Sequence, residues 1–454
     1  MTPLNIPLKR KKSSELITRT PDFNSMIRIT FWNGLGFIFF TFIKSYVVIY
    51  FFGGSGIDLG IIMALQPLAR LFSMPFIAYF TDRYSKKRLV LIGSMGRTIA
   101  YFLYWLSLVI RNLYMFGVGT FVQGLLVGFF WPPFYALISE KSHKGSRTHA
   151  LAMGRGRMIG YGFIIGAFIS IPLFSFFSFL MPENVALVYS PLLIFAIINL
   201  IAGHRFYLKV DENLTFERYI ASRNNQKAGL SQLTEDEQIE NDIDELENDK
   251  AKTLLNIGFV TLLFAILITS ISGTMYSPFI SAYLIENLLV DFSETIIPII
   301  VMIVYFPAQV LSQLLASKVG KVFDRISPSI SIFFINTFKA LLIWLLVSTF
   351  TPYDFAIILV LLHLVLESSG YFIQAIMSRI SIKHRGKMFG LHIWIDQLGR
   401  VIGPLIGGFL WDLIASSTPF ITSIFIGLGL IPIFIFAFKK LSFHFIEQIE
   451  RDLK

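Results

Sequence analysis

The sequence has no cysteine and is poor in charged residues. Over 454 residues, the lack of cysteine excludes disulfides, thiolate zinc or iron–sulfur ligation, and a cysteine nucleophile. Only 15% of the residues are charged, against about 25% in a typical soluble domain, which argues against a conventional soluble enzyme. No Walker, nucleophile-elbow or dinucleotide-binding motif and no cluster at metal-ligand spacing is present. The sequence therefore predicts no enzymatic activity, metal or cofactor.

Apolar residues dominate the chain. They make up 54% of it, with 47 Phe, and the mean hydropathy is +0.66. Crossing the hydrocarbon core of a bilayer takes about 20 apolar residues in a helix, and twelve runs of that kind can be found. The sequence thus predicts an all-α membrane protein with twelve spans, at 27–52, 58–81, 88–110, 113–138, 149–178, 185–207, 253–286, 294–317, 328–350, 354–380, 388–413 and 418–439.

Lys and Arg fall almost entirely in the loops on one side of these spans. Because cytoplasmic loops carry the excess of positive charge, that side is predicted to be cytoplasmic, with both termini there and the chain in the cell membrane. The net charge of +10 is then explained by the loops, and no nucleic-acid partner is expected. The basic loop residues are Lys9 to Lys12, Arg83, Lys86, Lys87, Arg88, Lys141, Lys144, Arg147, Lys318, Lys321, Arg325, Lys383, Arg385, Lys387, Lys439 and Lys440, against Arg111 on the other side.

An acidic segment at 208–252 interrupts the apolar pattern and marks a domain boundary. Ile239, Ile243 and Leu246 recur in it at helical spacing, so it is either a solvated linker with some amphipathic helix or a regulatory docking site. The predicted organisation is a cytoplasmic tail (1–26), a six-helix bundle (27–207), the linker (208–252), a second six-helix bundle (253–440) and a second cytoplasmic tail (441–454).

The two halves share sequence features in the same order. Asp82-Arg83 in the loop after span 2 recurs as Asp324-Arg325 after span 8, and at the same offset Arg97 corresponds to Lys339. One residue out of register, Gly156-Arg157 corresponds to Gly399-Arg400. Three matches in order indicate an internal repeat, and so two related bundles.

With these features the chain resembles the major facilitator superfamily of secondary transporters. The family's loop signature after helix 2 corresponds here to Ala78, Asp82, Arg83, Ser85, Lys86, Lys87 and Arg88, with both signature glycines replaced by small residues. The chain departs from drug-exporting members by having Thr120 in place of the helix 4 arginine and Gly160-Tyr161-Gly162 in place of a Gly-Pro pair. The resemblance implies a pseudo-symmetric fold in which Asp82 and its loop, and likewise Asp324 and Arg325, latch the bundles on the cytoplasmic side. Asp82 would accept hydrogen bonds from loop cations or from the start of helix 11.

Four cations lie inside predicted spans: Arg97, Lys339, Arg157 and Arg400. An unpaired charge at such depth costs several kcal/mol, so each needs a carboxylate, carbonyl or water partner. By family resemblance spans 3 and 9 are peripheral, which favours gate or scaffold ion pairs for Arg97 and Lys339. Arg157 and Arg400 are nearer the expected cavity, where substrate contact and gate structure are both open.

Span 11 combines a polar face with a small-residue face. His392, Asp396 and Arg400 are spaced four apart and share one face, so Asp396 either forms a neutral pair with Arg400 or titrates as a coupling site. The small-residue face suits close helix packing at a rocking interface. Its candidate packing residues are Gly399, Gly403, Pro404, Gly407 and Gly408.

Glu367 is the most informative ionisable residue. It lies thirteen residues from Asp354 and twelve from Arg379, near the bilayer centre, where a carboxylate is expected to bind substrate or exchange protons, or else to be a buried partner of a basic residue. His363 is one turn away as a possible relay, and Arg70 is the candidate counter-charge. Lys44, which either lines the cavity or snorkels outward, and Asn33 complete the predicted substrate and proton site.

The sequence therefore predicts a secondary transporter working by alternating access. The favoured function is proton-coupled export, by antiport, of a small drug-like or metabolic compound; the alternative is proton-coupled uptake or exchange of an anionic metabolite, because the buried cations outnumber the buried acids. A membrane-embedded enzyme and a transport-dead sensor are the alternatives of other classes. The expected partners are a small-molecule substrate, protons and the lipid bilayer, and the protein is expected to act as a monomer.

Overall fold

The fold consists of helices joined by short loops. The computed structural model describes residues 19–143, 160–227, 257–323, 326–380 and 385–452, and these residues contain no β-strand. Loops alternate between two ends of the molecule. We call the end that carries the loop around Tyr84 and Ser85 the basic end, and the end that carries the loop 52–55 the opposite end.

The described residues of the first bundle form nine α-helices, several of which are pieces of one crossing. The segment after it, which belongs to the predicted linker, begins with one further helix, α10. The helices of this half are α1 (Phe23–Phe31), α2 (Phe37–Tyr46), α3 (Gly56–Arg83), α4 (Lys86–Val109), α5 (Leu113–Val127), α6 (Trp131–Glu140), α7 (Gly162–Leu180), α8 (Val185–Val188), α9 (Ser190–Lys209) and α10 (Phe216–Lys227).

Seven α-helices lie in the part of the second bundle that the structure describes. Its last helix continues past the predicted end of the bundle at residue 440. The helices are α11 (Ile257–Tyr276), α12 (Ile280–Leu288), α13 (Ile297–Phe323), α14 (Pro328–Val347), α15 (Pro352–Ile380), α16 (Arg385–Leu413) and α17 (Thr418–Asp452).

Nine stretches of the described chain are long and apolar enough to cross a membrane. The predicted spans at 27–52, 294–317 and 388–413 are not among the nine. The first is broken into pieces, the apolar stretch of the second is limited to Ile297–Ser312, and the third carries polar and charged residues along α16. The all-α membrane fold is therefore confirmed, and the number twelve stays a prediction. The amphipathic pattern at Ile239 to Leu246 lies outside the described residues.

Three crossings are interrupted where the sequence disfavours an α-helix. The first changes to a 3₁₀ turn at Trp32–Gly34, the fourth breaks between α5 and α6 ahead of Pro132 and Pro133, and the seventh breaks at Ser277–Phe279 around Pro278. Proline lacks the N–H that an internal turn needs and clashes with the preceding turn. Backbone freed in this way inside a membrane needs partners from the protein or from a wet cavity.

The two bundles meet along α3 and α16, which run antiparallel. Gly60 approaches the carbonyl of Pro404 and Gly408 approaches the carbonyl of Gly56 so closely that neither glycine could carry a Cβ. Ile393 is on the same face of α16 as Pro404, three turns nearer the basic end, and is 42% exposed. The two helices thus touch at the opposite end, whereas α16 is exposed at Ile393 toward the basic end.

Candidate functional site

The charged centre of the molecule combines residues of both bundles. Arg70 on α3 lies fourteen residues from Gly56, or about 21 Å along the helix, and Arg400 on α16 lies twelve residues from Asp412, or about 18 Å. Arg70 is close enough to Arg400 and Asp396 for Coulomb interaction with both. The fold thus brings together two cations that are 330 residues apart in sequence, at the middle of the helices.

Asp396 is tied to Arg400 and to the neighbouring helix. Its Oδ2 accepts a hydrogen bond from Arg400 Nε at 2.7 Å, and its Oδ1 accepts one from Ser270 Oγ on α11 at 2.5 Å. His392, one turn earlier, interacts electrostatically with both. Half of the Arg400 side chain remains exposed, so the guanidinium can bind another group while it is paired.

Lys44 adds a third cation beside this centre. Its Nζ donates a hydrogen bond to Gln66 Oε1 at 2.8 Å, and the side chain is buried. Lys44 also interacts electrostatically with Arg70, which follows Gln66 by one turn on α3. The snorkelling alternative is therefore wrong for Lys44, because its ammonium group has an acceptor inside the bundle.

Arg97 is fully buried between the first and fourth crossings, and its partners among the described residues are not carboxylates. Its Nη1 donates to the backbone carbonyl of Asn33 at 2.8 Å, and its guanidinium carbon lies 4.5 Å from the ring centre of Phe37 and 5.1 Å from that of Phe130. Asn199 is a weaker acceptor at 3.4 Å. The expected ion pair is thus replaced by carbonyls and aromatic faces, and Asn33 belongs to this buried cluster rather than to the centre around Arg70.

Lys339, which corresponds to Arg97 in the repeat, is buried in the second bundle. It lies on α14 and is only 4% exposed, with its amine against Gly427 of α17. Its position between these helices supports a scaffold role away from the charged centre.

A second polar group lies on the other side of the space between the bundles. His363 Nδ1 is 3.1 Å from the carbonyl of Leu359, and Nε2 is 3.2 Å from the amide nitrogen of Gln309. A carbonyl only accepts, so Nδ1 carries the proton and Nε2 accepts, which holds the ring neutral. Gln309 and Tyr305 line a cavity between the bundles, together with Phe39, Thr41, Ser170, Ile171 and Met302.

Glu367 follows His363 by one helical turn and is partly exposed. Among the described residues it forms no hydrogen bond or ion pair. It is also not one of the charged groups that act on Arg70. The predicted pairing of Glu367 with Arg70 is therefore not formed in this conformation, in which Arg70 lies near Arg400 and Asp396 instead.

The charged loop after α3 contacts its own bundle. Arg83 Nη1 donates to Tyr79 Oη at 2.7 Å, and Lys86 Nζ pairs with Glu140 at 2.9 Å. The Glu212 carboxylate, which the sequence did not single out, accepts hydrogen bonds at 2.6 Å from Ser85 Oγ and from the backbone N–H of Lys86. Lys87 stacks over Tyr207, and Arg88 is exposed. The Asp82 side chain and all of Arg157, Asp324 and Arg325 lie outside the described residues.

The small residues of α16 face two different neighbours. Gly399, Gly403 and Gly407 pack on α11 within their own bundle, whereas Pro404 and Gly408 meet α3 of the other bundle. Of these five residues, only Pro404 and Gly408 thus form the expected rocking interface between the bundles. The regular spacing of the glycines could not separate these contacts, because both faces carry small residues.

Comparison with known proteins identifies the family. The model of the Major Facilitator Superfamily matches residues 26–261, and a comparison with curated proteins gives no match. Three solved structures share the fold at low identity.

The nucleoside transporter NupG has a TM-score of 0.60 and 14% identity over 93% of this chain and 99% of its own. A bacterial homologue of the human lysosomal transporter Spinster, solved inward-facing and unoccupied, has a TM-score of 0.61 and 13% identity over 94% of this chain and 97% of its own. A POT family transporter in complex with a thioalcohol-conjugated peptide has a TM-score of 0.64 and 11% identity over 92% of this chain and 96% of its own. The match over more than half of the chain confirms the resemblance seen in the loop signature, and the chain belongs to the major facilitator superfamily.

Proposed function

We propose that this secondary transporter moves a small organic anion by alternating access, with the anion bound between Arg70 and Arg400. The observation that carries the proposal is that these two cations lie at the middle of α3 and α16, helices of different bundles that pack against each other, and interact electrostatically. A solute held by both would be reached from one membrane face at a time as the bundles rock.

The balance of charge supports an anion. Arg70 interacts electrostatically with Lys44, Arg97 and Arg400, and among the described residues Asp396 is the acid that acts on it. These four cations repel one another more than one acid can offset, because screening by water is weak at this depth. A carboxylate or phosphate on the substrate relieves this repulsion. A lipophilic cation increases it, so the anionic substrate is favoured over the drug-like cations that many exporters carry.

Proton coupling is proposed to use Glu367. Glu367 is partly exposed and has no ion pair among the described residues, whereas Asp396 is held by Arg400 and Ser270. Asp396 is the second candidate, because its protonation would release Arg400 to the substrate. The direction of net transport follows the gradients of proton and solute, since the cycle is reversible.

A thermal-shift screen of purified protein tests the proposal, because a ligand that binds the native state raises the melting temperature. The panel contains mono- and dicarboxylates, sugar phosphates, nucleotides, neutral sugars and tetraphenylphosphonium. Stabilisation is expected from anions, and Arg70→Gln and Arg400→Gln should abolish it. The exposed Arg88 provides the matched control, Arg88→Gln, which should respond like the unsubstituted protein. Stabilisation by the lipophilic cation alone, or anion binding that survives Arg70→Gln, would refute the anionic site.

A further inference from the structure

Asp412, at the last turn of α16, bonds to the first turn of α3 in the other bundle. Its Oδ1 accepts from the backbone N–H of Gly56 and its Oδ2 from that of Ile57, both at 2.8 Å. Three hydrogen bonds between described residues cross between the bundles, and these are two of them. The third joins Tyr50 Oη to the carbonyl of Ala282 at 3.2 Å. All three lie at the opposite end, where α3 and α16 touch.

We infer that Asp412 is the positioning residue that holds the transporter closed at the opposite end. The first N–H groups of a helix have no partner within the helix, and a carboxylate there also meets the positive end of the helix dipole. Asp412 supplies the hydrogen-bond acceptors and the negative charge only while the bundles touch. When they separate, water can take its place at Gly56 and Ile57, because the helix starts at the end of the molecule. The contact thus favours the conformation that is closed at the opposite end, and its replacement by water allows that end to open.

The Asp412 contact is the counterpart of the latch that the sequence predicts at the basic end. Helices α3 and α16 are antiparallel, so the C-terminal end of each lies beside the N-terminal end of the other. The sequence predicts that Asp82, near the end of α3, latches the basic end by binding the start of span 11. Asp412, at the end of α16, makes the corresponding contact at the opposite end. Asp58, by contrast, binds Ser55 at the start of its own helix and does not reach the other bundle.

The test uses the absence of cysteine in this chain. Ala64 lies two turns beyond Gly56 on the same face of α3 and is only 5% exposed, so Ala64→Cys reports opening at the opposite end. Ile393→Cys, at an exposed position nearer the basic end, reports accessibility from that end. Both variants are labelled with an impermeant maleimide in membrane vesicles of known orientation. The reagent is applied to Ala64→Cys from the membrane face at which the opposite end lies, and to Ile393→Cys from the other face.

Asp412→Ala is expected to speed labelling at Ala64→Cys about tenfold and to slow labelling at Ile393→Cys. Asp58→Ala, which removes a carboxylate from the same helix start within one bundle, should change neither rate. Local unfolding would not produce reciprocal changes, so this pattern separates a latch from a merely structural role. If Asp412→Ala does not fold, Asp412→Asn replaces it, because the amide loses the charge and one acceptor.

The inference fails if Asp412→Ala or Asp412→Asn leaves both rates unchanged, or if Asp58→Ala has the same effect as Asp412→Ala. No substrate is added in this assay. Its outcome is therefore independent of whether the central site binds anions, and either proposal can fail without the other.

Discussion

Arg97 donates a hydrogen bond to the backbone carbonyl of Asn33 at 2.8 Å, at the point where the first crossing leaves the α-helical path. The break frees backbone groups inside the membrane region, and the guanidinium supplies one of them with a donor. The rings of Phe37 and Phe130 flank the cation at distances typical of cation–π contacts. Arg97 therefore joins the breaks in the first and fourth crossings without any carboxylate.

Replacing Arg97 with Met should destabilise the protein. The substitution keeps much of the side-chain volume but leaves the Asn33 carbonyl without its donor, and a lost hydrogen bond to a charged group costs on the order of 2 kcal/mol. A lower melting temperature in detergent is the measurement. Arg88→Met, at an exposed basic residue, is the control and should melt with the unsubstituted protein. An Arg97→Met protein as stable as that control would mean that the guanidinium does not hold the break.

Both termini and the 208–252 linker are expected on the cytoplasmic side, because the basic loops accompany them. In this cysteine-free chain, Ser231→Cys in the linker and Ser293→Cys in the loop between α12 and α13 can each be tested with an impermeant thiol reagent. Ser293→Cys should react in intact cells, and Ser231→Cys only after permeabilisation. Reaction of both from outside would rule out the predicted topology.

Asp82→Asn should slow transport while binding in detergent persists. The residue lies at the basic end of α3, far from the centre at Arg70, so its loss is expected to affect closure rather than the substrate site. Transport rates in proteoliposomes and melting-temperature shifts with an identified ligand measure the two properties separately. Loss of binding in a folded Asp82→Asn protein would show that the latch assignment is incorrect.

Glu367→Gln is expected to abolish accumulation driven by a pH gradient and to leave downhill exchange partly intact. Gln keeps the shape of the protonated acid but cannot change its charge during the cycle. Paired proteoliposome assays, with and without the gradient, make the comparison, and Glu140→Gln at the basic end is the matched control. Undiminished gradient-driven transport by Glu367→Gln would remove this residue from the coupling mechanism and leave Asp396 as the acid to examine.

Several site features were predictable because they depend on residues close together in sequence. The spacing of Asp396 and Arg400 by one turn gave their ion pair as one of two alternatives, and the pair is present at 2.7 Å. The central depth of Arg70 followed from its equal distance to the two ends of its span. Such features need only the rise and period of a helix, which do not change with the partner that the helix meets.

Contacts between distant segments were not predictable in the same way. The partners of Arg97 come from three other crossings, and those partners are a carbonyl, an amide and aromatic rings, which carry no charge pattern. Asp412 could not be distinguished from any other exposed acid at the end of a span, because its acceptor role depends on the start of α3 lying beside it. Glu212 likewise acquires its role only where the end of α9 meets the loop before α4.

The sequence by itself determined the membrane class, the basic loops and the two related halves, since hydropathy, charge and repetition are properties of the chain that hold before it folds. Tertiary structure decided which of the buried charges meet. Arg70 lies near Arg400 rather than Glu367, Arg97 binds a broken helix, and Asp412 joins the bundles, because the rotation and crossing of each helix fix which face meets its neighbour. Those angles arise from packing among all the helices together, which the order of residues along a single helix does not specify.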